Sequence, residues 1–190
     1  MHNNTEIKRF ERIETQSLIF RRPRREDAEA IFARYASDPE VTRFLGWPRH
    51  KNIGDSLAFI EMSDTGWSGF PVGSYLIESR ETGELLGSSG LVFETVLRAS
   101  LGYVFARDAW GKGYATETAL AMKEIGRMAG LIRLYALCHV ENIRSARVLE
   151  KSGFLLEGTL RKQYDFPNIG EGGPGDVHVY GMVYSVREVD

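Results

Sequence analysis

The chain has few of the residues that build disulfides and metal sites. Its 190 residues include one cysteine, Cys138, and four histidines. A single cysteine excludes an intrachain disulfide framework and a Cys-x-x-Cys redox or zinc motif. The histidines, at positions 2, 50, 139 and 178, have no spacing typical of metal ligands, so we expect a protein that does not depend on a metal.

Long apolar runs and a large net charge are also missing. No apolar run approaches the ~20 residues of a transmembrane helix, and the N-terminal MHNNTEIKRFERIET lacks the apolar centre of a secretory signal. The net charge is −2, which provides no general basic surface for nucleic acid or for an acidic membrane. We therefore expect a cytoplasmic protein with no direct nucleic-acid partner and no membrane partner.

What remains is the composition of an ordinary globular domain. Hydrophobic residues make up 43% of the chain and charged residues 26%, and a length of 190 residues suits one domain. No internal repeat or linker divides the sequence. We predict a flexible N-terminal arm over residues 1–16, which are mostly polar, followed by a single domain over residues 17–190.

Hydrophobic periodicity predicts an α+β fold. One strand and a set of helices come first, followed by three strands, a helix, a strand, a helix and two final strands. This order indicates a mixed, mostly antiparallel sheet flanked by helices, and not a doubly wound fold. Residues 67–73 are predicted to form a loop. The predicted strands are 17–22, 74–79, 85–93, 99–106, 132–140, 155–164 and 177–186, and the main predicted helices are 26–36, about 52–62, 114–129 and 142–153.

The segment AWGKGYATE, residues 109–117, lies between a predicted strand and a predicted helix. It matches neither the G-x-x-x-x-G-K-[ST] loop that binds nucleotide triphosphates nor the G-x-G-x-x-G turn that binds dinucleotides. Gly111 and Gly113 have no Cβ, so a diphosphate can approach the backbone and the unpaired N–H groups of the first helical turn. A tight connection without a ligand would favour the same glycines. The segment alone leaves both interpretations open.

A second polar cluster follows the next predicted strand, in HVENIRSARVLEKSGF at residues 139–154. Asn142 can cap the following helix, and its amide can also reach an acceptor in a cleft. Ser145 lies three residues further on, near the same helix end. Each residue also has a plain structural explanation, Asn142 as an N-cap and Ser145 as a polar residue of the first turn.

Taken in order, these segments resemble the GNAT superfamily of acetyl-CoA-dependent N-acetyltransferases, and within it the branch of ribosomal-protein N-terminal (alanine and serine) acetyltransferases. The resemblance covers most of the chain from Ser17 onward. It implies a splayed sheet, in which strand 99–106 diverges from strand 132–140 and acetyl-CoA lies in the opening. The segments that carry it are SLIFRRPRREDAEAIFARYASDPEVTRFLGW (17–47), GELLGSSGLVF (83–93), LGYVFARDAWGKGYATETA (101–119) and ENIRSARVLEKSGFLLEGTLRK (141–162).

The same resemblance implies which residues hold the cosubstrate acetyl-CoA. The backbone of residues 104–106 would pair with the pantetheine amides, and the amides of residues 111–116 would bind the pyrophosphate. Asp108 departs from the superfamily pattern, which has Gln or Arg there, so we expect its carboxylate to point away and Arg107 or backbone amides to compensate. The implied binding residues are Val104, Phe105, Ala106, Gly111, Lys112, Gly113, Tyr114, Ala115, Thr116, Asn142 and Ser145.

The expected catalytic residues are Ser145 and Glu94. By resemblance, Ser145 would donate a proton or a hydrogen bond to the departing thiolate. Glu94 or Asp165 would face the acceptor as a base, although each also fits a solvated carboxylate at a strand end. The acceptor pocket is expected to be formed by the helix and loop from Trp47 to Phe70 and by the loop over residues 165–175, of which the glycine-rich part 167–175 is expected to be mobile. Its expected lining residues are Trp47, Trp67, Phe70 and Phe166.

The expected reaction is direct attack by an amine, without an acyl-enzyme. The first acceptor that we expect is the α-amine of a protein or peptide N-terminus. The alternatives are a small-molecule amine, such as an antibiotic, a polyamine or an amino acid derivative, and a CoA-binding module without turnover. Exposed sheet edges would allow a homodimer, which the sequence does not establish.

Overall fold

The computed structural model describes residues 10–70 and 72–184, which form one eight-stranded sheet with helices. The strands are β1 (Arg12–Glu14), β2 (Leu18–Arg21), β3 (Ser74–Ser79), β4 (Leu85–Thr95), β5 (Arg98–Phe105), β6 (Arg133–His139), β7 (Leu155–Asp165) and β8 (Pro174–Val183). Their order in the sheet is β1-β2-β3-β4-β5-β6-β8-β7. Neighbouring strands are antiparallel except for the parallel pair β5 and β6, which confirms the predicted α+β fold.

The helices pack against both faces of this sheet, where two hydrophobic clusters form the core. Val104 and Phe105 show the division, since these consecutive residues of β5 point into different clusters. Across the described part of the chain, no helix is long and apolar enough to cross a membrane. The helices are α1 (Ala28–Ile31), α2 (Pro39–Thr42), α3 (Ile53–Gly69), α4 (Tyr114–Met128) and α5 (Ile143–Lys151), with a 3-10 turn before α1 (Arg25–Asp27), a π turn after it (Phe32–Ala36) and a 3-10 turn after β5 (Arg107–Ala109).

The N-terminal segment is more ordered than its polar composition predicts. Phe10 is only 4% exposed, its carbonyl oxygen accepts a 2.7 Å hydrogen bond from the buried Tyr75 hydroxyl, and β1 pairs with β2. The prediction of a flexible arm over residues 1–16 is therefore wrong from Phe10 onward, because one buried aromatic residue and a strand pair fix the segment. Residues 1–9, which carry the rest of that prediction, lie outside the described residues.

Glu117 in α4 fastens the β1–β2 turn to the helix. Periodicity places this residue on the outer face of α4, but its carboxylate accepts hydrogen bonds from the Thr15 hydroxyl at 2.6 Å and from the Ser17 backbone N–H at 2.8 Å. The partners lie about a hundred residues earlier in the chain, so no local pattern reveals this contact.

The helix α3 is longer than predicted, and it includes residues that we expected in a loop. Gly66, Ser68 and Gly69 favour a loop by propensity, but α3 continues to Gly69. Trp67 explains the difference, since its side chain is 2% exposed, packs edge-on against Tyr75 at 5.0 Å, and donates a hydrogen bond to the Ser74 carbonyl. Burial of the indole therefore outweighs the weak local propensity.

The last two strands are predicted correctly as a pair, but their loop is shorter than the sequence suggests. Tyr164 pairs with Gly175 and Asp165 with Pro174, so β8 begins at Pro174 and not at Val177. The predicted strand end at residue 186 lies outside the described residues. β7 is the edge strand of the sheet and is exposed along its whole length. The homodimer, which we expected to form through an exposed sheet edge, stays a prediction.

The sheet opens between β5 and β6. These strands pair at only three positions, from Arg98–Arg133 to Ser100–Tyr135. Beyond Ser100, β5 remains paired with β4 as far as Phe105, while β6 remains paired with β8 as far as His139. The two strands therefore diverge and leave an opening in the sheet, which confirms the predicted splay.

Candidate active site

Two adjoining clefts occupy the opening between β5 and β6. The first, which we call the glycine cleft, has a volume of about 1120 Å³ and reaches the N-terminal ends of α4 and α5. The second, which we call the aromatic cleft, has a volume of about 900 Å³ and lies against α1, α3 and the start of the β7–β8 loop. Because the clefts share lining residues, one ligand can extend from the first into the second. The shared residues are Phe44, Leu45, Tyr103, Val104, Asn142 and Ser145.

The glycine turn leaves the N-terminal amides of α4 without a cap. Gly111 and Gly113 have φ angles of +75° and +86°, which an L side chain adopts only with strain. Gly113 is the N-cap, and no side chain of the described residues caps the helix there. The N–H groups of the first turn and the positive end of the helix dipole therefore face the cleft. Its lining includes Gly111, Gly113, Tyr114, Ala115 and Thr116.

Lys112 differs from its neighbours. Its side chain is exposed and does not line either cleft, so the prediction that Lys112 binds the cosubstrate is not supported. Other basic residues line the glycine cleft in its place, on one face of α5. Their spacing of three and four residues is a signal that the sequence contains and that our reading of it missed. These residues are Arg144, Arg147 and Lys151.

The carboxylate of Asp108 points away from the glycine turn, as expected, but its compensation comes from another residue. Arg34 donates to both carboxylate oxygens at 3.0 Å, whereas Arg107 pairs with Asp38 and Glu40. Asp108 lines neither cleft. Arg34 was missed because it lies 74 residues before Asp108 on a helical segment with many charged residues.

Along β5, the backbone N–H and C=O groups of successive residues point alternately toward β4 and toward the opening. Ala106 N–H donates to the Leu86 carbonyl at 2.8 Å, and the Val104 carbonyl faces Gly87, so the backbone groups of Val104 and Ala106 serve the β4 ladder. The groups of Tyr103 and Phe105 therefore face the opening, where the Phe105 carbonyl accepts a 2.8 Å bond from the Trp110 indole. Within the predicted stretch 104–106, only Phe105 therefore turns its backbone groups to the opening, as Tyr103 does just before it, and backbone pairing with the cosubstrate stays a prediction.

Asn142 serves as a cap and still retains a free donor. It is the N-cap of α5, and its Oδ1 accepts a 3.2 Å hydrogen bond from Ser145 N–H. This confirms the structural explanation of the residue. Its Nδ2 amide has no partner in residues 10–70 and 72–184, and Asn142 lines both clefts, so the amide can donate to a ligand.

Ser145 lies where the two clefts meet, and its hydroxyl contacts a side chain from the opposite side of the opening. Its Oγ is 2.8 Å from the Tyr103 hydroxyl, which projects from β5. The nearby Cys138 is 2% exposed, and burial raises the pKa of its thiol. A thiol with a raised pKa is a poor nucleophile at neutral pH, which agrees with the expected direct attack.

Glu94 lies outside both clefts, at the exposed end of β4. It accepts a hydrogen bond from the Tyr135 hydroxyl and pairs with Arg98, and these contacts lower the pKa of its carboxyl. A carboxylate that acts as a base needs a raised pKa, or at least no cationic partner, and it must lie within reach of the substrate. The structure therefore speaks against Glu94 as the base. Asp165, at the end of β7, also lines neither cleft.

The aromatic cleft has a wall of stacked rings. His139 stacks on Phe44 at 4.9 Å and meets the edge of Phe166 at 4.6 Å, while Trp47 lies 5.1 Å from His50. The predictions for Trp47 and Phe166 agree with this arrangement. Trp67 is buried in the core and Phe70 stacks on Phe93, so neither lines the cleft.

A match to a known family identifies the kind of domain that carries these clefts. Residues 17–155 match the family described as Acetyltransferase (GNAT) domain. The chain belongs to the GNAT acetyltransferase family. Its relative YoaA of Bacillus subtilis (strain 168), an uncharacterised N-acetyltransferase, is 36% identical over 177 residues, which cover 92% of this chain and 97% of YoaA.

Two solved GNAT structures share the fold at low sequence identity. RimL, a ribosomal-protein α-N-acetyltransferase in complex with coenzyme A, is 19% identical with a TM-score of 0.78, over 91% of this chain and 98% of that one. MccE, the microcin C7 self-immunity acetyltransferase in complex with acetyl-CoA and AMP, is 22% identical with a TM-score of 0.76, over 90% and 94%. This GNAT chain is an acyltransferase, an acetyl-CoA-dependent N-acetyltransferase.

In this GNAT enzyme, one side chain of the β7–β8 loop ties that loop to the other wall of the aromatic cleft. Asn168 Nδ2 donates to the carbonyls of Thr42 and Trp47 at 2.9 Å each, and its Oδ1 accepts from Arg49 N–H at 2.8 Å. The loop that we expected to be mobile is therefore anchored. Sequence reasoning missed Asn168 because an asparagine in a loop rich in proline and glycine is typical of an ordinary turn.

Replacing Asn168 with alanine is expected to raise the KM for the amine acceptor. Three hydrogen bonds that position residues 42–49 over the aromatic cleft would be lost at about 1 kcal/mol each, so we expect a rise of roughly a hundredfold. Steady-state kinetics with each substrate varied in turn would test this. Asn168→Asp keeps the bond from Arg49 N–H but sets an acceptor oxygen against the carbonyls of Thr42 and Trp47, so its KM should rise at least as much as in Asn168→Ala. An equal rise in the KM for acetyl-CoA would contradict a role confined to the acceptor side.

Proposed function

We propose that the enzyme acetylates an α-amine, and that this amine is the N-terminus of a protein or peptide. The observation that supports the proposal is the lack of a free carboxylate at the acceptor side. Among the described residues, Asp55 is the only carboxylate that lines the aromatic cleft. Its Oδ2 accepts from the backbone N–H groups of Lys51 at 2.7 Å and Asn52 at 3.3 Å, and the first of these bonds chiefly lowers the pKa of the carboxyl.

The two histidines of the aromatic cleft are weak bases as well. Burial lowers the pKa of both His50 and His139 below the usual value. His139 Nδ1 accepts a hydrogen bond from Glu141 N–H at 3.1 Å, so the neutral ring carries its proton on Nε2 and offers no free lone pair. His50 Nδ1 is 2.9 Å from the Ser56 hydroxyl. The site therefore suits an amine that is already neutral in a useful fraction.

An α-amine meets this requirement and a lysine side chain does not. With a pKa of about 8, roughly a tenth of the α-amine is neutral at pH 7. A lysine amine with a pKa of about 10.4 is neutral roughly once in two thousand molecules. Since the neutral amine is the nucleophile, the rate should rise with pH up to the pKa of the acceptor and level off above it.

The residues of the glycine cleft fit the cosubstrate. Bound acetyl-CoA supplies the thioester acyl group that the amine attacks. The uncapped amides of Tyr114, Ala115 and Thr116 provide donors for a diphosphate, and the free Nδ2 of Asn142 provides one for the pantetheine arm. Phe105 N–H, which faces the opening, can donate to the acyl oxygen as negative charge develops there.

The position of Ser145 supports a role in assisting the leaving group. Its hydroxyl lies where the glycine cleft meets the aromatic cleft, and a thioester that extends from the first cleft toward an amine in the second would pass there. A hydrogen bond from Ser145 to the departing sulfur would stabilise the charge that builds up on it. Direct attack needs no acyl-enzyme, in agreement with the raised pKa of the Cys138 thiol.

A small-molecule amine is the second candidate. The stacked rings around His139 give the aromatic cleft a flat apolar wall that would suit a ring-bearing acceptor. Of the neighbouring GNAT structures, RimL is named as a protein α-N-acetyltransferase and MccE was solved with acetyl-CoA and the small molecule AMP, so neither candidate conflicts with this fold. A polycation such as a polyamine is disfavoured, since Arg49 and Lys51 line the same cleft.

Thiol release from acetyl-CoA across matched acceptors would test the proposal. The panel would contain peptides with a free N-terminal alanine or serine, the same peptides with a blocked N-terminus and an internal lysine, aromatic amino acid amides, and a polyamine. We expect turnover with the free N-termini and little with the blocked peptides. Preference for the aromatic amides would favour the second candidate, and a lack of turnover with every amine would overturn the proposal.

A further inference from the structure

We infer that Tyr103 is a positioning residue for catalysis, which orients the Ser145 hydroxyl toward the leaving sulfur. This inference rests on the proposed function, because it assumes that Ser145 assists the departure of the thiol. A tyrosine within a strand, such as Tyr103 in β5, is most simply a packing residue. The structure instead gives its hydroxyl one specific partner at the centre of the opening.

The contact between Tyr103 and Ser145 crosses the gap in the sheet. Tyr103 belongs to β5 and Ser145 to the first turn of α5, which follows β6. The tyrosine Oη lies 2.8 Å from Ser145 Oγ and 3.3 Å from the Ser145 carbonyl oxygen. Both residues line both clefts. The pair therefore spans the region where the strands are no longer hydrogen-bonded to each other.

The number of protons and lone pairs on the two hydroxyl groups limits what this contact can do. A phenol has one proton to donate, and a serine hydroxyl has one proton and two lone pairs. Burial raises the pKa of Tyr103, so the phenol keeps its proton and acts as a donor. When the tyrosine proton lies on Ser145 Oγ, by the shorter of the two contacts, the serine proton is left to point into the cleft or toward the neighbouring Cys138 sulfur. Tyr103 thus holds the hydroxyl in place without passing on a proton itself.

Without the phenol, the serine hydroxyl has a competing position. Serine in the first turns of helices commonly turns its hydroxyl to a backbone carbonyl nearby. A bond of that kind would direct the proton away from the cleft. The ring of Tyr103 is not needed for orientation, so removing only its oxygen separates the positioning role from packing.

Tyr103→Phe is therefore the informative variant. We expect kcat for acetyl transfer to fall about tenfold, which corresponds to one hydrogen bond. The KM for acetyl-CoA should stay within about twofold, since the binding amides of α4 are untouched. In the Ser145→Ala background, Tyr103→Phe should cause no further loss of kcat, because the hydroxyl that it orients is already gone.

Tyr75→Phe provides a matched control. Tyr75 is fully buried and its hydroxyl donates to the Phe10 carbonyl at 2.7 Å, away from both clefts. Both variants lose a buried hydrogen bond and should lower the melting temperature similarly, but only Tyr103→Phe should lower kcat. Independent, multiplicative losses of kcat from Tyr103→Phe and Ser145→Ala would overturn the inference, as would an equal loss in Tyr75→Phe. If the wild type transfers no acetyl group, the proposed function itself fails.

Discussion

Replacing Gly113 with valine is expected to abolish measurable binding of acetyl-CoA. Gly113 is the N-cap of α4 at a φ of +86°, and the space beside it is open, since an added Cβ meets no protein atom within 4 Å. A valine would fill the space in which a diphosphate must approach the backbone, and it would disturb the first-turn amides. Losing two hydrogen bonds to a charged group costs about 3–6 kcal/mol, so we expect affinity to fall at least about a hundredfold.

The control for this variant is Gly130→Val at the other end of the same helix. Gly130 has a φ of +81°, is exposed, and also has no protein atom near an added Cβ. Both variants place a β-branched residue in a left-handed conformation, which costs roughly 1–2 kcal/mol of stability. Isothermal titration with coenzyme A should show normal affinity for Gly130→Val and none for Gly113→Val. Retained affinity in Gly113→Val would show that this turn does not bind the phosphates.

Replacing Ser145 with alanine is expected to lower kcat about a hundredfold, at the lower end of the range for a positioned proton or hydrogen-bond donor. Binding should change little, because Asn142 Oδ1 caps the Ser145 backbone N–H and this bond does not need the side chain of Ser145. The measurement is steady-state thiol release at saturating acceptor, with kcat and the KM for acetyl-CoA determined separately.

Ser152→Ala is the matched control in the same part of the chain. Ser152 follows α5, is 2% exposed, and its hydroxyl donates to the Val148 carbonyl at 2.8 Å. It lines neither cleft, so its loss should reduce stability and leave kcat unchanged. If Ser145→Ala and Ser152→Ala behave alike, Ser145 is only a polar residue of the first helical turn.

Elements with a strong local pattern could be predicted from the sequence. Three such elements lie within a few residues of their predicted bounds: the hairpin of β3 and β4, the helix α4 after its glycines, and α5 after Asn142. Periodicity, turn residues and caps act over short distances, so they are visible in one sequence. The splay and the expected cosubstrate site came from the family resemblance, and the structure turns the backbone groups of Tyr103 and Phe105 to the opening in place of those of Val104 and Ala106.

The remaining features depend on contacts between distant parts of the chain. Arg34 neutralises Asp108, Glu117 holds the β1–β2 turn, and Asn168 joins two loops more than a hundred residues apart. None of these residues has a local signature, since charged and amide side chains are common on helix surfaces and in turns. Glu94 is the opposite case, in which the sequence predicted a role that distant contacts remove. A carboxylate at a strand end could serve as a base, but its cationic and phenolic partners cannot be seen from the sequence.

The three-position pairing of β5 with β6 has a consequence for cohesion. The two halves of the sheet are joined by few backbone hydrogen bonds, and Tyr103 and Phe105 leave backbone groups without a strand partner. A pantetheine chain in the opening would supply amides to those groups and take the place of a missing strand. The cosubstrate would then contribute to the structure of the sheet while it is bound. The enzyme would be more stable and more rigid with acetyl-CoA bound than without it.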